Sequence, residues 1–228
     1  MKERVIASGF AWEIDWQNTR SLERLTENEL LAESAWVILC SGMRETVVKQ
    51  RYGAISQAFL HWVSADAIAA RRTECEEQAL RVFKHRGKIG AIGSFCEKVS
   101  RYGFDQVLQR IERSGITFLR SFDFIGPVTG LHLAKNIGLD VVKPDRHLVR
   151  MATAFRSSPE GLCKAIAEVT GDKLSAVDLV LWRYATLHPN YLDLFDPNSP
   201  DERGLEVGQF AYSPYDLHEK AGPQSARF

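Results

Sequence analysis

Helix-starting signals recur along this 228-residue chain, while two-residue alternation of apolar and polar side chains is nearly absent. That contrast confines the chain to an all-α fold. Thr26 with Glu29 reads as a capping box ahead of the apolar run 30–40, and Thr73 with Glu76 is expected to open a second helix that Gly87 closes. Ile89, Ile92, Cys96 and Val99 recur at helical spacing, as do Val107, Leu108 and Ile111 before Gly115. Ser158 with Pro159, and Ser175 with Asp178, mark two further helix starts. The second of these holds Leu179, Leu181, Trp182 and Tyr184, which are expected in the core. Beyond Pro197 the chain is rich in Pro, Gly, Ser and charge, and an irregular tail is expected over 213–228. No internal repeat is found.

A hydrophobic content of 45% is enough to bury one or two cores and excludes a disordered chain. No run of eighteen apolar residues occurs, and Met1-Lys2-Glu3-Arg4 opens without the apolar stretch of a signal peptide. The expectation is a cytoplasmic protein with no membrane span. Cys40, Cys75, Cys96 and Cys163 are isolated and the six histidines dispersed, so reduced thiols are expected, and neither metal nor cofactor. The zero formal net charge hides a segregation. Residues 81–156 carry 14 Lys/Arg against 6 Asp/Glu, whereas 1–80 carry 9 against 12 and 157–228 carry 6 against 11. A basic centre fits a polyanionic partner, but solvated helix faces produce the same pattern, so it decides nothing without a motif beside it.

The motif is the stretch Phe124-Ile125-Gly126-Pro127-Val128-Thr129-Gly130, which reads as helix, tight turn, helix. Gly126 is expected to supply the turn and Pro127 the first helical residue. The amides of Val128, Thr129 and Gly130 would then face outward at the positive end of the helix dipole, where a phosphate fits. An ordinary helix-helix corner is the competing reading. After Gly138 the segment Lys143-Pro144-Asp145-Arg146-His147 starts another helix, with Leu148, Met151, Ala152 and Phe155 on one face. Asp145 at that start is an N-cap by position, and a dipole-stabilised carboxylate there also suits a developing sugar cation. Both roles stay open.

On these residues the chain resembles the helix-hairpin-helix (HhH-GPD) DNA glycosylases, which pair such a hairpin with an aspartate shortly after its second helix. The family's hairpin turn corresponds to 124–128, with Val128 in place of a second glycine, and its catalytic aspartate to Asp145. The stretch 37–48 resembles the helix and loop that carry the family's DNA wedge. Met43 falls where the wedging residue lies, with Arg44 beside it; a buried methionine is the alternative. The stretch 82–92, with His85-Arg86-Gly87-Lys88-Ile89, is similar to bacterial 3-methyladenine DNA glycosylases. Their zinc ligands have no counterpart here, and their pocket glutamate falls near Trp36. The iron-sulfur cysteines of endonuclease III are also missing. Gly130 lies near the lysine that bifunctional members use for Schiff-base chemistry, which implies a monofunctional enzyme.

The resemblance implies two helical lobes meeting at a DNA-binding cleft. One is expected over 30–140, ending in the hairpin. The other comprises 1–29 with 141–212 and carries Asp145. The expected partner is double-stranded DNA with a damaged or modified base, bound by a monomer. The hairpin residues Gly126, Val128, Thr129 and Gly130 would grip the backbone, Met43 and Arg44 would enter the duplex, and Asp145 would stabilise the sugar cation or orient water. Lys88, Lys143 and Arg146 are candidates for phosphate neutralisation, each equally readable as a surface charge. Trp36 is the candidate for stacking on the base; Trp62 and Trp182 are the other aromatics that could line the pocket, with core packing the alternative for all three. An alkylated purine, a modified pyrimidine and a modified base of phage DNA, such as glucosylated hydroxymethylcytosine in antiviral defence, all stay open as substrates. From other classes, a non-catalytic DNA-binding module and a helical protein-interaction domain compete.

Overall fold

The computed structural model describes residues 1–195. They form α1 (Lys2–Val5), α2 (Ala11–Thr19), α3 (Glu27–Cys40), α4 (Glu45–Ala58), α5 (Ala65–Ala70) and α6 (Arg72–Val82). These are followed by α7 (Arg86–Tyr102), α8 (Phe104–Leu119), α9 (Pro127–Asn136), α10 (Arg146–Ala154), α11 (Pro159–Thr170) and α12 (Leu174–Leu187). No strand occurs among the described residues, so the fold is all-α. None of their helices is long and apolar enough to cross a membrane. The expected irregular tail over 213–228 lies outside the described residues.

Side-chain caps set several of the helix starts. The Thr26 hydroxyl accepts from the Glu29 amide while the Glu29 carboxylate accepts from the Thr26 amide, closing the capping box at α3. Ser158 caps α11 ahead of Pro159. Elsewhere the pattern misleads. Thr73 lies inside α6, whose first turn is instead tied by the Arg71–Glu74 ion pair, while Glu76 pairs with Arg72. Gly87 sits in the first turn of α7 and closes nothing; α6 ends at Val82. Helix α12 begins at Leu174, with Ser175 and Asp178 already inside it and both buried. Gly115 interrupts α8 with a left-handed backbone, φ 49°, but the helix resumes to Leu119.

Two apolar cores result. The first runs from Leu25 to Ile137 and is centred on α3, where residues 30–39 are buried without a break because α4, α7 and α9 pack round it. The second joins Val5, Phe10 and Ile14 to Val142, Leu148, Met151, Cys163, Leu181 and Tyr184. The N-terminal segment therefore packs against the chain that follows Val141, with α1 and α2 lying on α12. Leu181 and Tyr184 are core residues as expected, whereas Leu179 and Trp182 are half-buried and face the gap between the two cores.

Candidate active site

The turn between α8 and α9 differs from its expected chemistry at one residue. Phe124, not Gly126, takes the left-handed backbone, φ 62°, and Gly126 is an extended N-cap. The Phe124 ring lies over Gly87, whose missing Cβ leaves room for it, and meets the edge of His85 with centroids 6.0 Å apart. Segments 82–92 and 124–128, which both carried the resemblance, are thus in contact. Thr129 fastens the turn: its hydroxyl accepts from the Gly126 amide at 2.6 Å and donates to the Phe124 carbonyl at 3.1 Å. The Gly130 amide donates to the Gly126 carbonyl at 2.7 Å, so Gly130 is removed from the expected phosphate grip. Val128 and Thr129 retain the outward amides of the first turn. Gly130 serves packing instead, since a Cβ there would lie 3.2–3.3 Å from Arg120 and Ile116 of the preceding element.

Between the two cores lies a cleft of about 770 Å³. Trp36, Cys40, Met43, Val128, Thr129 and His132 line the side belonging to the first core. Lys143, Asp145, Arg146, His147, Leu179 and Trp182 line the other. Asp145 caps α10: its Oδ1 accepts from the amides of His147 at 2.8 Å and Leu148 at 3.0 Å. No described residue donates to Oδ2. His147 is held by Tyr191, with Nδ1 and Oη 3.2 Å apart. Trp36 lines the cleft but is almost wholly buried, and it is held against Tyr52 in a T-shaped contact of 5.3 Å.

Seven of the eleven expected site residues therefore share this cleft: Trp36, Met43, Val128, Thr129, Lys143, Asp145 and Arg146. Arg44 is an exposed N-cap of α4 outside it, and Gly126 lines a shallower groove beside it with Phe124 and Ser41. Lys88 is corrected outright as a phosphate ligand. It is buried, and its ammonium donates to the carbonyls of Leu39 and Ser41 at the end of α3. From α7 it anchors the loop that presents Met43. No family model, curated protein or solved structure matches this chain.

The base of the cleft holds polar groups that sequence reasoning passed over. Lys135 pairs with Asp178 at 3.2 Å, and the other oxygen of Asp178 accepts the backbone amide of Lys143 at 2.6 Å. Glu33 accepts from Asn136 at 2.9 Å and faces Arg20 at 3.5 Å; burial pushes its carboxyl up to about 7 despite both partners. Arg183 clamps Glu13 through two nitrogens and stacks on Trp182. Burial, followed by the charges of Lys143 and Lys135, holds His132 well below the usual histidine range, so its imidazole is neutral. Burial also pushes the Cys40 thiol up to about 12, which removes it as a thiolate nucleophile. The one readable hint of this cluster was Glu33, a carboxylate inside an unbroken apolar run. The rest is assembled from residues far apart in the chain.

Proposed function

We propose that the protein is a DNA glycosylase of the two-lobed helix-hairpin-helix architecture, which turns a damaged or modified base out of duplex DNA and hydrolyses its N-glycosidic bond, leaving an abasic site. The observation that carries this reading is the division of Asp145 between two tasks. One oxygen is spent on capping α10 and the other is free of protein donors, in a cleft that is also lined by the Trp36 indole, a loop methionine and the first turn of α9. Breaking the bond between base and sugar leaves positive charge on the sugar, and a fixed carboxylate in a partly dry cleft stabilises that charge as it develops. The two capping bonds keep the carboxylate oriented before the sugar arrives. Taking a base from the stack costs a few kcal/mol. Met43 fills the gap left behind, while Trp36 lines the space that takes the extruded base. The amides of Val128 and Thr129, with Arg146, hold the backbone phosphates on either side.

The test is a panel of duplexes carrying alkylated, oxidised, deaminated and phage-type modified bases, incubated with wild type and with Asp145→Asn and scored for abasic sites. Release by wild type alone is the expected result. A second reading draws on the same capping bonds: Asp145 serves α10 only, and the protein is a non-catalytic DNA-binding module. Salt-sensitive binding by both proteins with no base released from any duplex would establish that reading in place of the first.

A further inference from the structure

At the base of the cleft, Asp178 of α12 is 1% exposed and has both carboxylate oxygens engaged. Its Oδ1 meets the Lys135 ammonium at 3.2 Å, and its Oδ2 accepts the backbone amide of Lys143 at 2.6 Å. Lys135, itself buried, belongs to the last turn of α9, the helix whose first turn carries the amides of Val128 and Thr129. Lys143 opens the turn that ends in Asp145. Its carbonyl accepts from the Asp145 amide at 2.8 Å, and Pro144 between them has a fixed φ. A second bond runs the opposite way, from the Ser175 amide to the Asp140 carboxylate at 2.9 Å, so residues 140–143 and 175–178 brace each other reciprocally. One buried side chain thus joins the helix of the phosphate grip to the segment that presents Asp145. Stability alone does not account for it. Taking two charges out of water offsets most of their attraction, and apolar side chains of similar size often hold helices together as well. What the ion pair and the amide bond add is direction, because each fixes an angle as well as a distance.

We propose that Asp178 is a positioning residue, which holds the Asp145 carboxylate in register with α9. This rests on the reading of Asp145 as the group that meets the sugar cation, and assigns the placement of that group to a residue too buried to touch DNA. Asp145 is then set from two sides. The amides of His147 and Leu148 fix its Oδ1 from α10, and the short path through Pro144 to Asp178 fixes its backbone from α12. Displacing a reacting group by about 1 Å costs roughly 100-fold in rate. Loss of the brace should therefore weaken recognition of the sugar cation and spare the grip of α9 on phosphate.

The test uses two duplexes, one with a cationic pyrrolidine and one with a neutral tetrahydrofuran in place of the abasic sugar, so the preferred base need not be known. Two variants disturb the brace in different ways. Asp178→Glu keeps the charge but lengthens the side chain by one methylene. Lys135→Met/Asp178→Asn removes both charges together, leaving no buried charge alone, while the new amide oxygen still accepts from Lys143. Each variant should bind the neutral-ring duplex within about threefold of wild type, yet lose at least about tenfold of the preference for the cationic ring. A residue that only supports the fold would weaken binding of both duplexes alike. Undiminished preference in either folded variant, equal weakening toward both duplexes, or failure of both variants to fold overturns the proposal. If wild type prefers the cationic ring, each of those results leaves the glycosylase reading in place. No preference in wild type removes that reading, and the proposal with it.

Discussion

Asp145 shows how one residue serves a helix and a reaction at once, because a carboxylate has two oxygens and the cap occupies one. Asparagine caps as well as aspartate but carries no charge. Asp145→Asn should therefore unfold within about 1 kcal/mol of wild type while base release falls at least about 100-fold. Loss of both together would mean that the residue is a cap alone. Glu33 offers a separate test through pH. Its carboxyl is raised from 4.5 to about 7 by burial, so the native state holds this proton more firmly than the unfolded chain does. The stability from this group is complete below pH 4.5, declines as the pH rises, and is gone above about 7. The loss is on the order of 3 kcal/mol. Glu33→Gln abolishes this titration, so its stability relative to wild type should improve steadily across that window; parallel pH profiles for the two proteins would contradict the assignment.

Helix α9 depends on two glycines for different reasons. At Gly138, φ is 101° and a Cβ would stand 2.5 Å from the Ser21 backbone, which has no flexible end to give way. Gly138→Ala should cost more than about 3 kcal/mol in chemical denaturation. Gly126→Ala, with only the Thr129 hydroxyl at 3.8 Å, should cost less than about 1 kcal/mol. Equal effects would mean that α9 does not approach Ser21 as described. Such close approaches mark the limit of what sequence pattern reveals. The caps at Thr26, Ser158 and Asp145 were legible because each involves one side chain and the next turn of backbone. Thr73 and Ser175 were misread because a hydroxyl near a carboxylate also occurs inside helices, where tertiary contacts decide the start. The same holds at the site. Asp145, Val128 and Thr129 belong to local motifs and were legible. Lys88 was not, since its carbonyl partners at 39 and 41 lie on another helix, and Lys135 with Asp178 meet only across the two cores.

The whole molecule holds its cleft by polar bonds that cross between the cores. Gln17 donates to the Lys135 carbonyl at 3.1 Å, and Lys135 pairs with Asp178 at 3.2 Å. These fix the separation of the two sides, and with it the distance from Asp145 to the amides of α9 on which the proposed function depends. Duplex binding by such a cleft should weaken linearly with the logarithm of salt concentration, and Arg146→Gln should reduce the slope by about 0.9, one phosphate contact. An unchanged slope would remove Arg146 from the interface. The central claim is that Asp145 recognises a developing positive charge on the sugar, and it can be tested without knowing the base. Two duplexes are compared by equilibrium binding, one carrying a cationic pyrrolidine in place of the abasic sugar and one a neutral tetrahydrofuran. Wild type should prefer the cationic ring by about 100-fold or more, and Asp145→Asn should lose that preference. Equal affinity of wild type for the two rings would contradict the account.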